Sequence, residues 1–290
     1  MSNSQLPSVT HGVIAAPVVE QFLKSSGMTI EQLMLNLIPE AQKFARPPIS
    51  NFFVGAVALG ASGGIYFGAN YEFVGQAVSF TVHGEQAATA HAISRGESGM
   101  QMLAVSAAPC GYCRQFLYEL ATASSLQILL PNTPPTLLTS LLPDAFGPQD
   151  LGVTAALMSP QAHGMTVADA PEDPVVKAAL AAANASYAPY TSSYTGVALK
   201  TRDGGVFAGS VAENAAFNPS MSPLEAAVVS LVISGGKSYD DIVDAVLVET
   251  AGAVASQIRV TRAVLNSITS VPLRTFEAHA PSNKEDKHHA

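Results

Sequence analysis

Apolar residues recur every three or four positions between Ile30 and Phe44, which is the spacing of one buried helix face. Thr29 precedes this stretch and Gln32 follows three residues later, a pattern typical of an N-terminal capping box. Pro39 lies inside the stretch and should kink the helix. Further along, apolar stretches of strand length alternate with helical ones. The sequence predicts strands at 52–59, 65–69, 103–107 and 127–130, and helices at 84–95 and 110–121. This alternation predicts an α/β sandwich with some parallel strand pairing.

The first half of the chain recurs in the second half. Gly68 recurs 141 positions later as Gly209, and Glu85 recurs 140 positions later as Glu225. A region rich in Pro, Gly and Ser, 131–175, lies between the two copies and predicts a linker with some local order. Because an internal repeat fixes the architecture, we predict two copies of one α/β domain.

The candidate catalytic and metal-binding residues lie in two short clusters, His83-Gly84-Glu85 and Pro109-Cys110-Gly111-Tyr112-Cys113. They contain one imidazole, both cysteines of the chain and a carboxylate two residues from the histidine. Three such ligands suit zinc and leave its fourth position open for a water whose pKa falls to about 7. Both clusters are expected at helix starts, where unpaired N–H groups stabilise thiolates. The sequence therefore predicts a hydrolytic zinc site with ligands His83, Cys110 and Cys113, and with Glu85 as its acid–base group.

A Cys-x-x-Cys pair can also be a redox pair or half of a structural zinc site. A structural site needs a fourth ligand, and the chain has no third cysteine. His91 lies two helical turns beyond the first cluster, and we expect a satisfied polar residue there, not a ligand.

The predicted domains follow from the repeat and the motif. We predict an N-terminal extension at 1–27, a catalytic zinc domain at 28–150, a linker at 151–172, a degenerate structural domain at 173–278 and a disordered tail at 279–290. The second copy is degenerate because Pro223 falls opposite His83 and Ala251 falls opposite Cys110. No cysteine follows Cys113, so the recurring Glu225 has no metal ligands beside it.

The net charge of the chain limits the classes of molecule that it is expected to bind. The chain of 290 residues has 14 basic and 22 acidic residues, for a formal net charge of −8 at pH 7. Such a surface repels phosphate backbones, so we expect a small uncharged substrate and no nucleic-acid partner. The sequence shows no secretory signal pattern and no apolar stretch of about 18 residues, which predicts no membrane partner and a cytoplasmic location.

Five longer stretches carry a resemblance to a known family: Ser50–Ala56, Phe67–Phe73, Val82–Gln86, Ala108–Phe116 and Leu142–Pro148. They resemble the cytidine deaminases, in particular the longer two-domain form that works as a homodimer. His-x-Glu followed by Pro-Cys-x-x-Cys is also the pattern of zinc nucleobase deaminases. The resemblance covers roughly residues 29–271. It implies a three-layer α-β-α sandwich of the cytidine deaminase type, duplicated within the chain, with one Zn²⁺ per chain.

The resemblance implies hydrolytic deamination of cytidine and 2′-deoxycytidine to uridine and 2′-deoxyuridine, with release of ammonia, as in pyrimidine salvage. It implies that Glu85 shuttles the proton. The implied substrate contacts are Asn70 and Glu72 to the ribose 3′-hydroxyl, Phe52 on the pyrimidine, the Gly84 amide to the base carbonyl, and Phe146 in the neighbouring subunit's site. Because Glu72 recurs in the second copy as Glu213, part of its role should be structural.

Two residues depart from the family pattern. Gly84 replaces the usual alanine, and Tyr112 replaces the usual histidine between the cysteines. Neither change removes a ligand, so we expect activity and metal binding to survive.

Three other functions stay open. A nucleic-acid deaminase is disfavoured by the acidic balance, and a non-catalytic zinc-stabilised subunit is disfavoured by the retention of Glu85. The third is a deaminase of another pyrimidine nucleoside.

Overall fold

The structure is a computed structural model that describes residues 6–168 and 171–281. The strands are β1 (Val13–Ile14), β2 (Gly55–Gly60), β3 (Ile65–Ala69), β4 (Met100–Val105), β5 (Gln127–Leu129), β6 (Thr136–Leu137), β7 (Thr195–Thr201), β8 (Val206–Ser210), β9 (Ile242–Thr250) and β10 (Leu273–Ala278). The α-helices are α1 (Ala16–Ser26), α2 (Ile30–Gln42), α3 (Gly84–Ser94), α4 (Gly111–Leu117), α5 (Leu138–Leu141), α6 (Pro174–Asn184), α7 (Pro223–Val229) and α8 (Ile258–Ile268). Short 3₁₀ turns lie at Val78–Phe80, Pro148–Leu151 and Tyr239–Asp241, and a π-helical turn at Ser230–Ser234 extends α7.

The second sheet repeats the topology of the four central strands of the first sheet, β3-β2-β4-β5. The strand orders of the two sheets are β1-β3-β2-β4-β5-β6 and β10-β9-β7-β8. In the first sheet β2 pairs antiparallel with β3 and β4, and β4 pairs parallel with β5. In the second sheet β7 pairs antiparallel with β8 and β9, and β9 pairs parallel with β10. The predicted duplication and the α/β class are therefore confirmed.

Two glycines let helices approach the first sheet closely. A Cβ on Gly55 would lie 2.7 Å from the carbonyl oxygen of Ile38 in α2, and one on Gly68 would lie 2.2 Å from the backbone nitrogen of Ala88 in α3. Gly55 pairs with Ala69, the neighbour of Gly68, and successive strand residues face opposite sides of a sheet. Helices α2 and α3 therefore cover opposite faces.

The second sheet repeats this arrangement. A Cβ on Gly196 would lie 2.3 Å from the backbone of Ala183 in α6, and one on Gly209 would lie 2.2 Å from that of Ala227 in α7. Helix α7 packs on α3, so the layers run α2, first sheet, α3 with α7, second sheet, α6. One hydrophobic core spans both halves, and a second lies between α6 and the second sheet. As a result α3 is buried over nearly its whole length.

Several predicted boundaries change. A strand from residue 52 is wrong, because β2 begins at Gly55 and the side chains of Phe52 and Phe53 are 59% and 52% exposed. The second predicted helix is shorter than 110–121 and ends at Leu117. The capping box of Thr29 and Gln32 is confirmed.

The segments outside the two repeats pack against them. In the N-terminal extension β1 pairs with β3, ahead of α1. Residues 152–168 contain no helix or strand in the structure, yet Leu157 is buried and bonded to the backbone of Glu119. His279 pairs with Thr166, while the rest of the predicted tail, 282–290, lies outside the described residues. The five domain boundaries stay predictions.

In the described part of the chain, no helix combines the length and apolar character needed to span a membrane.

Candidate active site

The candidate site lies at one edge of the first sheet. The first residue of β2 pairs with the last residue of β3, and the second residue of β2 pairs with the last residue of β4. The loop of Phe52, the segment 70–72 and the loop to Cys110 therefore leave the sheet at the same place. Tyr71 and Val82 exchange backbone hydrogen bonds of 3.0 and 2.9 Å, which brings the start of α3 to this edge.

Three ligand atoms converge where α3 and α4 begin. His83 Nδ1 lies 3.6 Å from Cys110 Sγ and 3.2 Å from Cys113 Sγ. His83 is the N-cap of α3, and Cys110 is the N-cap of α4. Zinc–sulfur and zinc–nitrogen bonds of about 2.3 and 2.05 Å at a tetrahedral angle separate the two ligand atoms by about 3.6 Å. The three side chains therefore fit one tetrahedral zinc ion.

The two thiols differ in environment. Cys110 is exposed and Cys113 is buried. A hydrogen bond from Cys113 lowers the pKa of Cys110 to about 5, and the same bond together with burial raises the pKa of Cys113. Zinc binds thiolates, so both sulfurs lose their protons when the metal binds.

Glu85 is the second residue of α3 and is only 4% exposed. Burial raises the pKa of its carboxyl, opposed by hydrogen bonding to its own backbone, the charge of His83 and a hydrogen bond with Cys113. The carboxyl therefore touches a ligand residue without belonging to the three-ligand cluster.

Two residues that hold His83 were not identified from sequence as doing so. The Gln86 side-chain oxygen accepts a hydrogen bond of 3.2 Å from the His83 backbone N–H. The Tyr112 ring lies 5.6 Å from the His83 ring, with the planes at 30°. The sequence marked Tyr112 only as a departure from the family pattern. Its packing role needs the fold, because the two residues lie on different helices.

Asn70 holds the loop that carries Phe52. Its Oδ1 accepts from the Val54 N–H at 2.9 Å, and its Nδ2 donates to the Phe52 carbonyl at 2.8 Å. These two bonds take the backbone groups that a longer β2 would have paired. One amide hydrogen and one lone pair of Asn70 remain free.

Glu72 is bound in the same way to the preceding loop. Its Oε2 accepts from the backbone N–H groups of Ile49 and Ser50 at 2.8 and 2.9 Å, and its Oε1 accepts from Ser50 Oγ at 2.5 Å. Burial raises the pKa of this carboxyl, but the bonds from Ser50 and Ile49 outweigh burial and lower it. The carboxylate therefore stays charged and keeps one of about four acceptor positions free.

The second half repeats this clamp. Glu213 Oε2 accepts from the N–H groups of Tyr190 and Thr191 at 2.9 and 3.2 Å, and Glu213 Oε1 accepts from Thr191 Oγ1. Thr191 and Glu213 lie 141 positions after Ser50 and Glu72. The predicted structural share of the role of Glu72 is confirmed. This recurring hydroxyl was the sequence signal that could have identified Ser50.

The remaining predicted residues are placed as follows. Gly84 begins α3, and a Cβ there would lie 3.0 Å from a methyl group of Val54. Phe146 lies on a separate loop and is 45% exposed; its carbonyl accepts a 2.7 Å bond from Gln115 in α4. His91 is fully buried with Nδ1 bonded to the Phe67 carbonyl, far along α3 from the metal cluster. It is not one of the clustered ligands.

The contacts of α7 correct the alignment of the two copies by one residue. Gly209 faces the carbonyl of Pro223, just as Gly68 faces the carbonyl of Gly84. Pro223 is thus the equivalent of Gly84, and the prediction that it replaces His83 is wrong.

The same shift applies to the neighbouring positions. The N-cap Ser222 is the equivalent of His83, and Glu225 takes the place of Gln86 in the capping box. Leu224, not Glu225, therefore stands where Glu85 stands. The second half therefore lacks a counterpart of Glu85 as well as counterparts of the histidine and cysteine ligands.

A buried carboxylate joins the two halves close to the site. Glu119, just after α4, is fully buried and accepts bonds from the hydroxyls of Tyr187, at 2.7 Å, and Tyr190, and from the Ala215 N–H at 3.0 Å. All three donors belong to the second half. This contact could not be predicted from the sequence, because its partners lie at least 68 positions away.

These features define a class. An α/β sandwich that gathers a His/Cys/Cys ligand set beside a buried, non-ligating glutamate is a zinc enzyme of the hydrolytic kind, with a fourth coordination position for water.

The comparisons with known proteins identify the family. Residues 28–127 and 138–262 each match the family model described as the cytidine and deoxycytidylate deaminase zinc-binding region. Proteins named cytidine deaminase from Yersinia pestis (strain Pestoides F) and Yersinia pseudotuberculosis (serotype O:1b) are each 48% identical over 256 residues, or 88% of this chain and 86% of the relative. The chain therefore belongs to the cytidine deaminase family, and its cofactor is zinc.

Among solved structures, the cytidine deaminase of Mycobacterium tuberculosis is 34% identical over 41% of this chain and 99% of its own, with a TM-score of 0.38. That of Burkholderia pseudomallei is 29% identical over 41% of this chain and 100% of its own, with a TM-score of 0.37.

Proposed function

We propose that this chain catalyses the zinc-dependent hydrolysis of cytidine and 2′-deoxycytidine to uridine and 2′-deoxyuridine, with release of ammonia. The observation that carries the proposal is the convergence of His83, Cys110 and Cys113, with their ligand atoms within 4.8 Å of one another, beside the buried Glu85. Membership of the cytidine deaminase family supports the substrate.

Glu85 is the proton shuttle in this proposal. Bound zinc supplies the Lewis acidity that makes water a nucleophile near neutral pH. Glu85 takes a proton from the attacking water and gives it to the ring nitrogen. It then takes the proton of the added hydroxyl and gives it to the leaving amine. Water thus adds at the carbon that carries the amine, the C–N bond breaks, and ammonia departs to leave a carbonyl.

The ribose contacts are assigned to Asn70 and Glu72. Both side chains are held rigidly by the loops, and each keeps free hydrogen-bonding capacity after its contacts within the chain are counted. A charged acceptor at Glu72 suits the 3′-hydroxyl that cytidine and deoxycytidine share. It also repels a 3′-phosphate, which disfavours nucleotides inside a nucleic-acid chain.

The base contacts are assigned to Phe52 and Gly84. Phe52 is exposed on the loop that Asn70 holds, so its ring is available to pack on a pyrimidine. Gly84 N–H is at the first position of α3, where a backbone donor has no helical acceptor and can bind the base carbonyl.

We assign the working form to a homodimer in which Phe146 reaches the site of the partner subunit. Large exposed aromatic side chains support an interface, since such groups mark contact surfaces when they cluster. Phe52, Phe53 and Phe146 are each at least 45% exposed in the single chain. Two cysteines that must stay reduced to bind zinc fit a cytoplasmic enzyme, and the reaction fits pyrimidine salvage.

The test follows cytidine loss by ultraviolet absorbance with zinc-loaded protein, with protein treated with a chelator, and with Glu85→Ala. Wild type should turn over cytidine, and chelation should abolish turnover. Glu85→Ala should lose at least about a hundredfold in kcat, because general acid–base groups contribute about 10²–10⁴-fold.

Zinc content measured on the same samples is the control. Glu85→Ala should keep one zinc per chain, because Glu85 is outside the ligand cluster. No turnover by the zinc-loaded wild type would refute the proposed activity. Full turnover by Glu85→Ala would refute only the assigned role of that residue.

A further inference from the structure

A second cavity lies between the two halves of the chain, at the edge of the second sheet that corresponds to the candidate active site. Its volume is about 660 Å³, within the range of about 300–1,000 Å³ of small-molecule sites. Thr191, Glu213, Ser222 and Glu225 line it, together with the ring of Phe217. We call it the second cavity.

The second cavity is the equivalent of the first site by contact as well as by sequence. Glu213 is clamped by its loop as Glu72 is, and Ser222 caps α7 where His83 caps α3. Ser222 is much smaller than histidine. Ser222 lines the second cavity, so open space lies beside the position that His83 occupies in the first half.

Two carboxyl groups in the second cavity keep free hydrogen-bonding capacity. Glu225 is 9% exposed; its Oε2 accepts from the Ser222 N–H at 2.8 Å, while its Oε1 has no hydrogen-bond partner among the described residues. Burial raises the pKa of Glu225 to about 7, so near neutral pH its carboxyl can donate as well as accept. Glu213 accepts from two backbone N–H groups and one hydroxyl, as Glu72 does, and likewise keeps one acceptor position free.

The cavity wall also reaches the zinc motif. Tyr112 lines the second cavity, and its ring packs 5.6 Å from the ring of His83. With Phe217, 62% exposed, it provides an aromatic surface on which a planar base can pack.

We propose that the second cavity binds a pyrimidine nucleoside without converting it. Glu213 would accept from a sugar hydroxyl, as Glu72 is assigned to do. Glu225 would bind the amide edge of the base, accepting from N3–H and donating to the neighbouring carbonyl of a uridine. No reaction follows, because Ser222 and Leu224 replace the metal ligand and the glutamate of the first site.

The ligand class rests on the proposed function, because it is taken from the equivalent first site. The test is equilibrium dialysis of the zinc-loaded full chain against radiolabelled uridine, carried to saturation. The first site and the second cavity should each take one uridine, so the expected stoichiometry is two per chain. Turnover of cytidine by the same preparation reports separately on the first site.

Ala255→Trp is the main variant, because Ala255 lines the second cavity and is half-buried, so a large ring there fills the space. It should bind one uridine per chain. Ala253→Trp is the matched control: Ala253 lies two residues away, is also half-buried and does not line the cavity, so it should bind two. Zinc content and circular dichroism check that both variants fold.

Glu225→Leu is a second variant that leaves the cavity open. It should weaken the second uridine at least about tenfold, because a hydrogen bond to a charged or acidic group is worth about 1.5–3 kcal/mol. One uridine per chain in an active wild type would overturn the proposal. If Ala255→Trp still binds two uridines per chain, the second uridine does not bind in the second cavity.

Light scattering tests whether a second copy of the chain, and not a nucleoside, fills the second cavity. If wild type binds one uridine and Ala255→Trp dissociates a dimer, a second copy of the chain fills the cavity, and the nucleoside assignment is wrong.

Discussion

His91 should make the protein less stable as the pH falls. The side chain is fully buried in α3; Nδ1 lies 2.9 Å from the Phe67 carbonyl, and Nε2 has no hydrogen-bond partner among the described residues. With Nδ1–H donating to that carbonyl, the neutral ring has one hydrogen bond and carries no charge, whereas a second proton would place a charge in the core. Burial lowers the pKa of His91 from 6.5 to about 4, opposed by the Phe67 carbonyl.

The sign and size of this change in stability with pH follow from proton linkage. The unfolded chain binds a proton at this histidine below pH 6.5, whereas the folded chain does so only below about pH 4. Where the unfolded state binds more protons than the folded state, stability decreases as the pH is lowered. Between pH 7 and pH 5 the two pKa values give a loss of about 2 kcal/mol in the free energy of unfolding.

Urea unfolding at the two pH values measures this loss. His91→Gln is the comparison, because a glutamine amide can still donate to the Phe67 carbonyl but does not titrate. Protonation of carboxylates and thiolates affects both proteins alike, so the wild type should lose about 2 kcal/mol more than the variant. Equal losses in the two proteins would show that His91 is not the buried group that opposes protonation.

Three further sets of substitutions test the duplicated architecture. Gly68→Ala should reduce the free energy of unfolding by about 3 kcal/mol, because the added Cβ would meet backbone at 2.2 Å. Gly84→Ala should change it by less than about 1 kcal/mol, because the added Cβ would meet only a valine methyl at 3.0 Å. Equal urea midpoints for the two variants would contradict this reasoning. Ser50→Ala and Thr191→Ala should each cost about 1–2 kcal/mol, but only Ser50→Ala should raise the KM for cytidine. Tyr190→Phe should cost about 1.5–3 kcal/mol in thermal unfolding by removing a donor to a buried carboxylate, and an unchanged midpoint would contradict the contact.

The regular elements of the first sheet follow closely from the sequence. Strand β3 has the predicted bounds, and α3 ends one residue before the predicted end. The start of β2 does not follow, because Phe52, Phe53 and Val54 continue the apolar run that begins the strand. The side chain of Asn70 takes the backbone groups of this loop, so the ladder starts only at Gly55. An apolar pattern alone does not separate a core strand from an exposed aromatic loop.

The metal cluster could be predicted because residue type and short spacing restrict it. The residues that hold this cluster in place were not predicted. Gln86 could have been found from the helix start, where a glutamine three residues after the N-cap is common. Glu119 could not, because its donors come from the other half of the chain and a single acidic residue after a helix carries no pattern.

The second half has lost its ligands but not its fold, and the layers explain why. Helix α3 carries His83 at its start and is buried between the first sheet and α7. Removing the second half would expose the face of α3 that packs on α7 and would leave Glu119 without its three donors. What the first site needs from the second half is therefore a packed surface and a set of hydrogen bonds. Apolar and small polar side chains can supply both: Leu224 is buried in the shared core and Ser222 caps α7. The metal-ligand and glutamate positions could therefore change while Gly196 and Gly209, which set the spacing between helix and sheet, were kept.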